Sequence, residues 1–345
     1  MSDILLLDNA KILPLTELTP PSSGKKGVFD GGVYDCNGDI CDIALHGKTN
    51  YINSPIKLSE KKFFNFDGVH VFGGMLQAHF GHFLTESIGR IWAFDYISKD
   101  INSLVFYHRK LGGEIPSFAK QIFDILLPHV SVTLVTEPSS FEELVVPSQV
   151  QKSGVLYGNK KTRKFFSKLN SVNGKKIKNI YVSRSRLDLR DGGILFEELI
   201  EKKLSDDGYI IIYPELMSIE EQLSYYKDAE RIIFSEGSAI HLYSLVAQSF
   251  QKVFIIWRRR LASHFIWQIQ SFSGIKNVVG NSSVQKIFVP PQGEACGRAI
   301  IDFEDLSLQL SLEGFISNKK WENPSSEIIL GEIDRIKKLT NRNYC

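Results

Sequence analysis

Residues 79–86 read His-Phe-Gly-His-Phe-Leu-Thr-Glu. On a helix His79, His82 and Glu86 fall at i, i+3 and i+7 and share one face. His82 and Glu86 are then close enough to hydrogen-bond. A carboxylate that holds an imidazole fixes its tautomer and leaves the other ring nitrogen to accept a proton, as a general base must. Imidazole and carboxylate also suit zinc or manganese. Three such residues on one helix, with no partner motif elsewhere, are a weak ligand set, so no metal and no other cofactor is expected. A purely structural polar knot fits the same pattern.

A second set of groups suits an anion. Arg184, Arg186 and Arg190 crowd the loop after Tyr181-Val182-Ser183. An arginine fork matches phosphate oxygens. Phe234-Ser235-Glu236-Gly237-Ser238 reads as a strand, a close turn and a helix start, with His241 just inside the helix. Free N–H groups at such a start suit phosphate, and His241 is placed to donate to a diphosphate or a leaving nucleotide. Glu215, after Tyr213-Pro214, reads equally well as an acceptor from ribose hydroxyls or a base edge and as an exposed loop acid. Strand–Gly–helix junctions are common, so a plain structural turn stays open at Gly237. Arg258, Arg259 and Arg260 follow a further strand and read best as a solvated loop.

The elements that would position these groups differ between the halves. Residues 63–73 read as a strand running into a helix over 78–97. Short β-like runs follow at 104–108 and 130–135, with a helix near 118–127 between them. The first sixty residues read as short strands and turns, 27–34 among them. The second half alternates regularly: strands at 179–183, 209–213, 231–235 and 252–257, and helices at 195–204, 218–229 and 238–248. Ser218 followed by Glu221 marks a capping-box start. Strands that are apolar on both faces and alternate with helices imply a parallel sheet covered by helices. Ligands bind such sheets beyond the carboxyl ends of the strands. Those ends are where Arg184, Glu215 and Gly237 fall.

Residues 159–178 carry eight basic side chains and no acid, from Lys160 to Lys178. They read as a junction between a first domain, 1–165, and a second, 175–320. Residues 321–345 read as a terminal helix able to pack back on the first domain. The basic stretch is a solvated linker or a contact for an anionic membrane surface or glycan. With 345 residues, 43% hydrophobic, the chain can bury two cores. Its net charge of +2 gives no support to a nucleic-acid partner. No apolar run is long enough to span a bilayer. The four cysteines form no CxxC pair, and free thiols in a cytosolic protein are the expectation. No GxGxxG follows a strand, which counts against a nicotinamide oxidoreductase.

These motifs, taken in order, resemble glycosyltransferase family 61, whose bacterial members often act in capsular or surface polysaccharide synthesis. The resemblance rests on His79 to Glu86 with Arg90-Ile91-Trp92, then Ile180-Tyr181-Val182-Ser183-Arg184, Glu197, Gly208-Tyr209, Pro214-Glu215, Ser218, Glu221-Gln222, Ala229 and Gly237. His79, Phe196 and Glu236 depart from it, standing where the family more often has Asn, Asn and His. The resemblance implies an α/β, GT-B-like fold with two Rossmann-like domains facing a cleft. It also implies inverting, metal-independent transfer from a nucleotide-sugar, UDP-linked donor to a glycan or glycolipid acceptor, at the cytoplasmic face of the membrane. The expected catalytic residues are His82, Glu86 and His79. Those expected to bind donor are Arg184, Arg190, Glu215, Glu236, Gly237, Ser238 and His241. The rival expectation is a non-catalytic glycan-binding or scaffold subunit of a polysaccharide-assembly complex.

Overall fold

The computed structural model describes residues 3–19, 27–45, 51–54, 62–108, 113–151, 157–259, 263–317 and 320–344. The chain divides into two compact units, Met1–Lys168 and Leu169–Cys345. The division falls inside the basic stretch.

The first unit runs β1 (Ile4–Thr19), β2 (Gly27–Tyr34), β3 (Tyr51–Ser54), β4 (Phe64–Leu76), α1 (Phe80–Thr85), β5 (Ser103–His108), α2 (Ser117–Leu126), β6 (Ser131–Val135), β7 (Ser139–Pro147) and α3 (Lys160–Phe166). All seven strands form one sheet in the order β3-β2-β1-β7-β4-β5-β6. Strands β7, β4, β5 and β6 are mutually parallel, whereas β1 runs antiparallel to both β2 and β7. The sheet is therefore mixed, and the unit departs from the Rossmann-like domain expected here. Strand β1 also touches β5 and β6, far from it in the order, so the sheet curls over its own core. Ile12, Phe72, Val105, Phe141 and Leu144 fill that core. Each such side chain contributes roughly 1.5–3 kcal/mol when fully buried.

The helix expected over 78–97 is broken. It forms α1, leaves helical geometry at Glu86 (φ −126°, ψ −48°) and resumes as a 3-10 helix over Ser87–Tyr96. Local bonds account for the break. Ser87 Oγ donates to Met75 O and accepts from Gln77 N, both at 2.9 Å, which pins the turn to the end of β4. Gly89 sits so close to the carbonyl of Gln151 that a Cβ there would collide with it.

The second unit is more regular. It runs β8 (Asn179–Val182), β9 (Gly193–Ile194), α4 (Glu197–Asp206), β10 (Ile210–Ile212), α5 (Ile219–Asp228), β11 (Arg231–Ser235), α6 (Ala239–Val246), β12 (Lys252–Ile256), α7 (Ser263–Ser273), β13 (Val278–Gly280), β14 (Val284–Phe288), β15 (Arg298–Ile301), α8 (Phe303–Leu312) and α9 (Ser326–Thr340). Five strands form an all-parallel sheet in the order β10-β8-β11-β12-β13. In chain order that is 2-1-3-4-5, a doubly wound arrangement whose direction of winding reverses between β8 and β11. A small sheet, β14-β15-β9, lies beside it. Helix α5 starts as its sequence predicts, with Ser218 Oγ accepting from Glu221 N at 3.1 Å.

Helix α9 lays Ile333 and Ile336 on Leu195, Phe288 and Ile300. Of the apolar stripe the sequence offered, Ile333 and Ile336 are buried within the second unit and Ile328 is exposed. Four of the eight basic residues in the junction segment hold acids of the chain itself. Lys161 pairs with Asp3 at 2.7 Å, Lys168 with Asp95 at 2.6 Å, Lys175 with Glu221 at 3.7 Å and Lys178 with Glu230 at 3.1 Å. Cys36, Cys41 and Cys296 are free thiols, and Cys345 lies outside the described residues. Among the described residues no helix is long and apolar enough to cross a membrane.

Candidate active site

In the first unit, the parallel strands deliver β4 into α1, and α1 carries the His82–Glu86 pair. His82 Nδ1 lies 2.7 Å from Glu86 Oε1. The carboxylate side chain is 1% exposed and the imidazole 53%. Gln77 Nε2 donates to the other carboxylate oxygen at 3.1 Å, and Gln149 Nε2 donates to the Glu86 carbonyl at 3.0 Å. Glu86 is thus fixed from several sides. An acceptor at Nδ1 selects the tautomer that carries its proton there, leaving the Nε2 lone pair for chemistry. Nε2 makes no hydrogen bond among the described residues.

His79 has another task. It is the N-cap of α1, in extended geometry, and its Nδ1 accepts from His82 N at 3.4 Å. Its ring meets that of His82 edge-on at 5.2 Å. It orders the helix start and the neighbouring ring from the N-cap position. Arg90 is buried, donating to the carbonyls of Ile43, Leu45 and Pro147, and its ring neighbour is Phe72 at 5.4 Å. It ties loops together. Among the described residues no three His, Cys, Asp or Glu side chains assemble as a metal-binding group.

In the second unit, the carboxyl ends of β8 and β11 meet at the switch point. Arg184 leaves β8 there and lies against Gly237, so closely that a Cβ on Gly237 would collide with its Nη1. Its Nη2 donates to Asp191 O at 3.3 Å, while its Nε is buried with no partner. The backbone of this turn is set by two acids of α4. Glu197 Oε1 accepts from Tyr181 OH (2.9 Å), Ser183 Oγ (3.1 Å) and Arg184 N (2.9 Å). Glu201 accepts from Ser183 Oγ (2.6 Å), Ser185 Oγ (2.5 Å) and Tyr213 OH (3.0 Å). Burial pushes the Glu197 carboxyl above its ordinary value.

Of the expected donor-binding residues, Glu236 and His241 make buried contacts of their own and Arg190 lies exposed. Glu236 is fully buried: Oε2 accepts from the N–H groups of Arg258 and Arg259, both at 3.1 Å, and Oε1 from Arg259 Nε at 2.6 Å. Its carboxylate joins the end of β11 to the loop after β12. His241 is 8% exposed, with Nδ1 2.7 Å from Gln268 Oε1 and its ring stacked on Phe265 at 4.8 Å. It belongs to the α6–α7 interface. Arg190 is exposed on a short loop, and its carbonyl accepts from Arg342 Nη1 at 2.7 Å. Gly237 and Ser238 do sit at the start of α6, and Glu215 is exposed at the end of β10, interacting electrostatically with Arg184.

The loop after β12 is not solvated at its first residue. Arg258 is 5% exposed, donating from Nε to Glu236 O (3.2 Å) and from Nη1 to Ala295 O (2.9 Å). Arg260 lies outside the described residues. Two elements escaped the sequence reading. Glu201 carried a usable signal, four residues beyond Glu197 on one helix. Arg298, buried on β15, carried none, being remote in sequence from everything it approaches.

A doubly wound unit with an arginine at its switch point, and a carboxylate-held histidine elsewhere in the same chain, suit group transfer from a phosphorylated donor. Residues 80–249 match the family model Glycosyltransferase 61. The match supports that family and, in general terms, transfer from a sugar donor to a glycan acceptor. No curated protein matches the chain.

Proposed function

We propose that this chain is an inverting glycosyltransferase that moves a sugar from a nucleotide-linked donor, UDP-linked by family resemblance, to a hydroxyl of a glycan or glycolipid acceptor in surface polysaccharide synthesis. The observation that carries the reading is the half-exposed His82 imidazole held by buried Glu86 at 2.7 Å. His82 Nε2 takes the proton of the acceptor hydroxyl as its oxygen bonds to the anomeric carbon. The bond from that carbon to the donor phosphate breaks, and its electron pair leaves on the nucleoside diphosphate. Glu86 offsets the imidazolium charge. Arg184 and the N–H groups at Gly237–Ser238 stabilise the departing diphosphate. A cytoplasmic, membrane-proximal setting is part of the same reading, with Lys160, Lys164 and Lys176 as the surface cations outside the ion pairs described above.

The test is incubation with UDP-, GDP-, CMP- and TDP-linked sugars, reading donor hydrolysis and transfer in the native chain and in His82→Ala. Turnover with one donor that falls at least about 10²-fold in the variant supports the reading. Full turnover in His82→Ala removes the assignment of the base. If no donor is bound or hydrolysed, the scaffold reading replaces the enzymatic one.

A further inference from the structure

Three arginines approach one place in the second unit, with no carboxylate in ion-pair contact among the described residues. Arg184 Nη2 donates to Asp191 O at 3.3 Å, Arg298 Nη2 donates to Leu189 O, and Arg258 Nη1 donates to Ala295 O at 2.9 Å. The two loops that supply these carbonyls pack on each other at Gly192, where a Cβ would lie 2.7 Å from Ala295 O. The next residue, Gly193, is bare for a related reason: a Cβ there would lie 2.7 Å from Arg298 Nη1. Arg258 and Arg298 are 5% and 8% exposed. The Nε atoms of Arg184 and Arg298 are buried with no hydrogen-bond partner. Among the acids that face them, Glu236 binds Arg259 and the Arg258 amide and Glu197 binds hydroxyls and the Arg184 amide, while Asp191 and Glu215 also act on Arg184, and Glu332 and the Tyr344 hydroxyl on Arg298.

Buried cations are costly unless something opposes their charge. Carbonyl oxygens satisfy the Nη groups named above, the surrounding acids stop short of ion-pair contact among the described residues, and the Nε of Arg184 and of Arg298 stays unused. Spare arginine N–H groups donate to phosphate oxygens, which accept. Burial depresses the pKa of Arg258 to about 9, and repulsion from Arg184, Arg259 and Arg298 adds to it against the opposing pull of Glu236.

We propose that Arg258 and Arg298, which lie outside the segment that matches the family model, complete with Arg184 a three-arginine clamp for the donor's diphosphate. The proposal rests on the donor reading above and assigns two side chains to it. Glu236 is a positioning residue in this arrangement, holding Arg258 through its amide and its own carbonyl. The nucleoside end of the donor is held by other groups, so the clamp distinguishes UDP from uridine.

The experiment is calorimetric titration of the full chain with UDP, inorganic pyrophosphate and uridine. The native chain, Arg298→Gln, Arg298→Lys and Arg258→Gln are compared, with far-ultraviolet circular dichroism as the check on folding. The expected result is UDP and pyrophosphate binding weakened about 10- to 100-fold in either Gln variant, with uridine binding unchanged. Arg298→Lys is expected to recover part of the loss, because the charge returns without the fork. UDP binding that is unaltered in folded Arg298→Gln and Arg258→Gln overturns the clamp and leaves the donor reading standing. Equal loss of uridine and UDP also overturns it, since that marks a structural role. A native chain that binds neither UDP nor pyrophosphate removes both the clamp and the donor reading. If a Gln variant misfolds, Arg298→Lys against the native chain decides, by whether the UDP-to-uridine affinity ratio falls.

Discussion

Glu86 is buried, yet it accepts the Nδ1 proton of His82 across 2.7 Å while the imidazole stands half in solvent. The pair separates two needs of a general base. The carboxylate is shielded and immobilised by Gln77 and by the turn at Ser87, and the ring it orients is open to a substrate hydroxyl.

The pair should therefore respond unequally to mutation. His82→Ala is expected to lower kcat by about 10²–10⁴-fold with little change in melting temperature, since the ring is half-exposed. Glu86→Gln should also slow turnover, because an amide cannot oppose an imidazolium charge. Single-turnover kinetics and thermal unfolding of the same preparations check both. An unchanged chemical step in Glu86→Gln would show that the carboxylate only shapes the turn.

Gly237→Ala tests the contact between the two strand ends. The added methyl collides with Arg184 Nη1, so the guanidinium must move. Donor KM is expected to rise at least about tenfold, the order of one displaced charge-assisted hydrogen bond. Acceptor KM should hold steady. Initial rates with each substrate varied in turn separate the two.

Glu197 gives a pH signature. Burial raises its carboxyl pKa from the ordinary 4.5, so the folded chain holds this proton more tightly than the unfolded one. The resulting stabilisation is full below about pH 4.5 and is lost as pH rises through the folded value. Glu197→Gln keeps an acceptor for Tyr181, Ser183 and Arg184 but cannot ionise. Its melting temperature minus that of the native chain should become more positive between pH 4.5 and pH 7. Thermal unfolding across that range decides, and a difference that moves the other way refutes the sign.

Phe196 stands where the family that the motifs resemble more often has Asn, and its backbone carries the consequence. It caps α4 at φ 60°, ψ 34°, in the left-handed region that a bulky side chain rarely occupies and Asn tolerates. Its ring meanwhile packs on two cores. Phe196→Ala loses the packing and keeps the strain, whereas Phe196→Asn loses the packing and eases the strain. The Asn variant should be the more stable of the two by about 1 kcal/mol in denaturant unfolding.

The second unit was legible because its signals are local. Strands 231–235 and 252–256, the Ser218 cap and the alternation with helices follow from short stretches of sequence and their flanks. The placing of Arg184 and Gly237 at strand ends followed too, whereas the adjacency of those two ends came only with the strand order. What the sequence did not show depended on distant partners. The contacts of His241 with Gln268 and Phe265 join residues more than twenty positions apart. So do the bonds from Arg258 and Arg259 that bury the Glu236 carboxylate. In the first unit, periodicity predicted one helix over 78–97, but the break at Glu86 is imposed by bonds to β4 that periodicity does not encode.

The seating of Arg184 on a bare Gly237 has a consequence for descent. Fifty-three positions apart, the two sites form one unit of inheritance. A side chain at 237 is tolerable only once the arginine has shortened or withdrawn, and a shortened residue at 184 leaves a hollow that a methyl would fill. Relatives that have abandoned donor binding should therefore show paired replacement at both sites, so that the pair records in two letters whether a descendant still handles an anion.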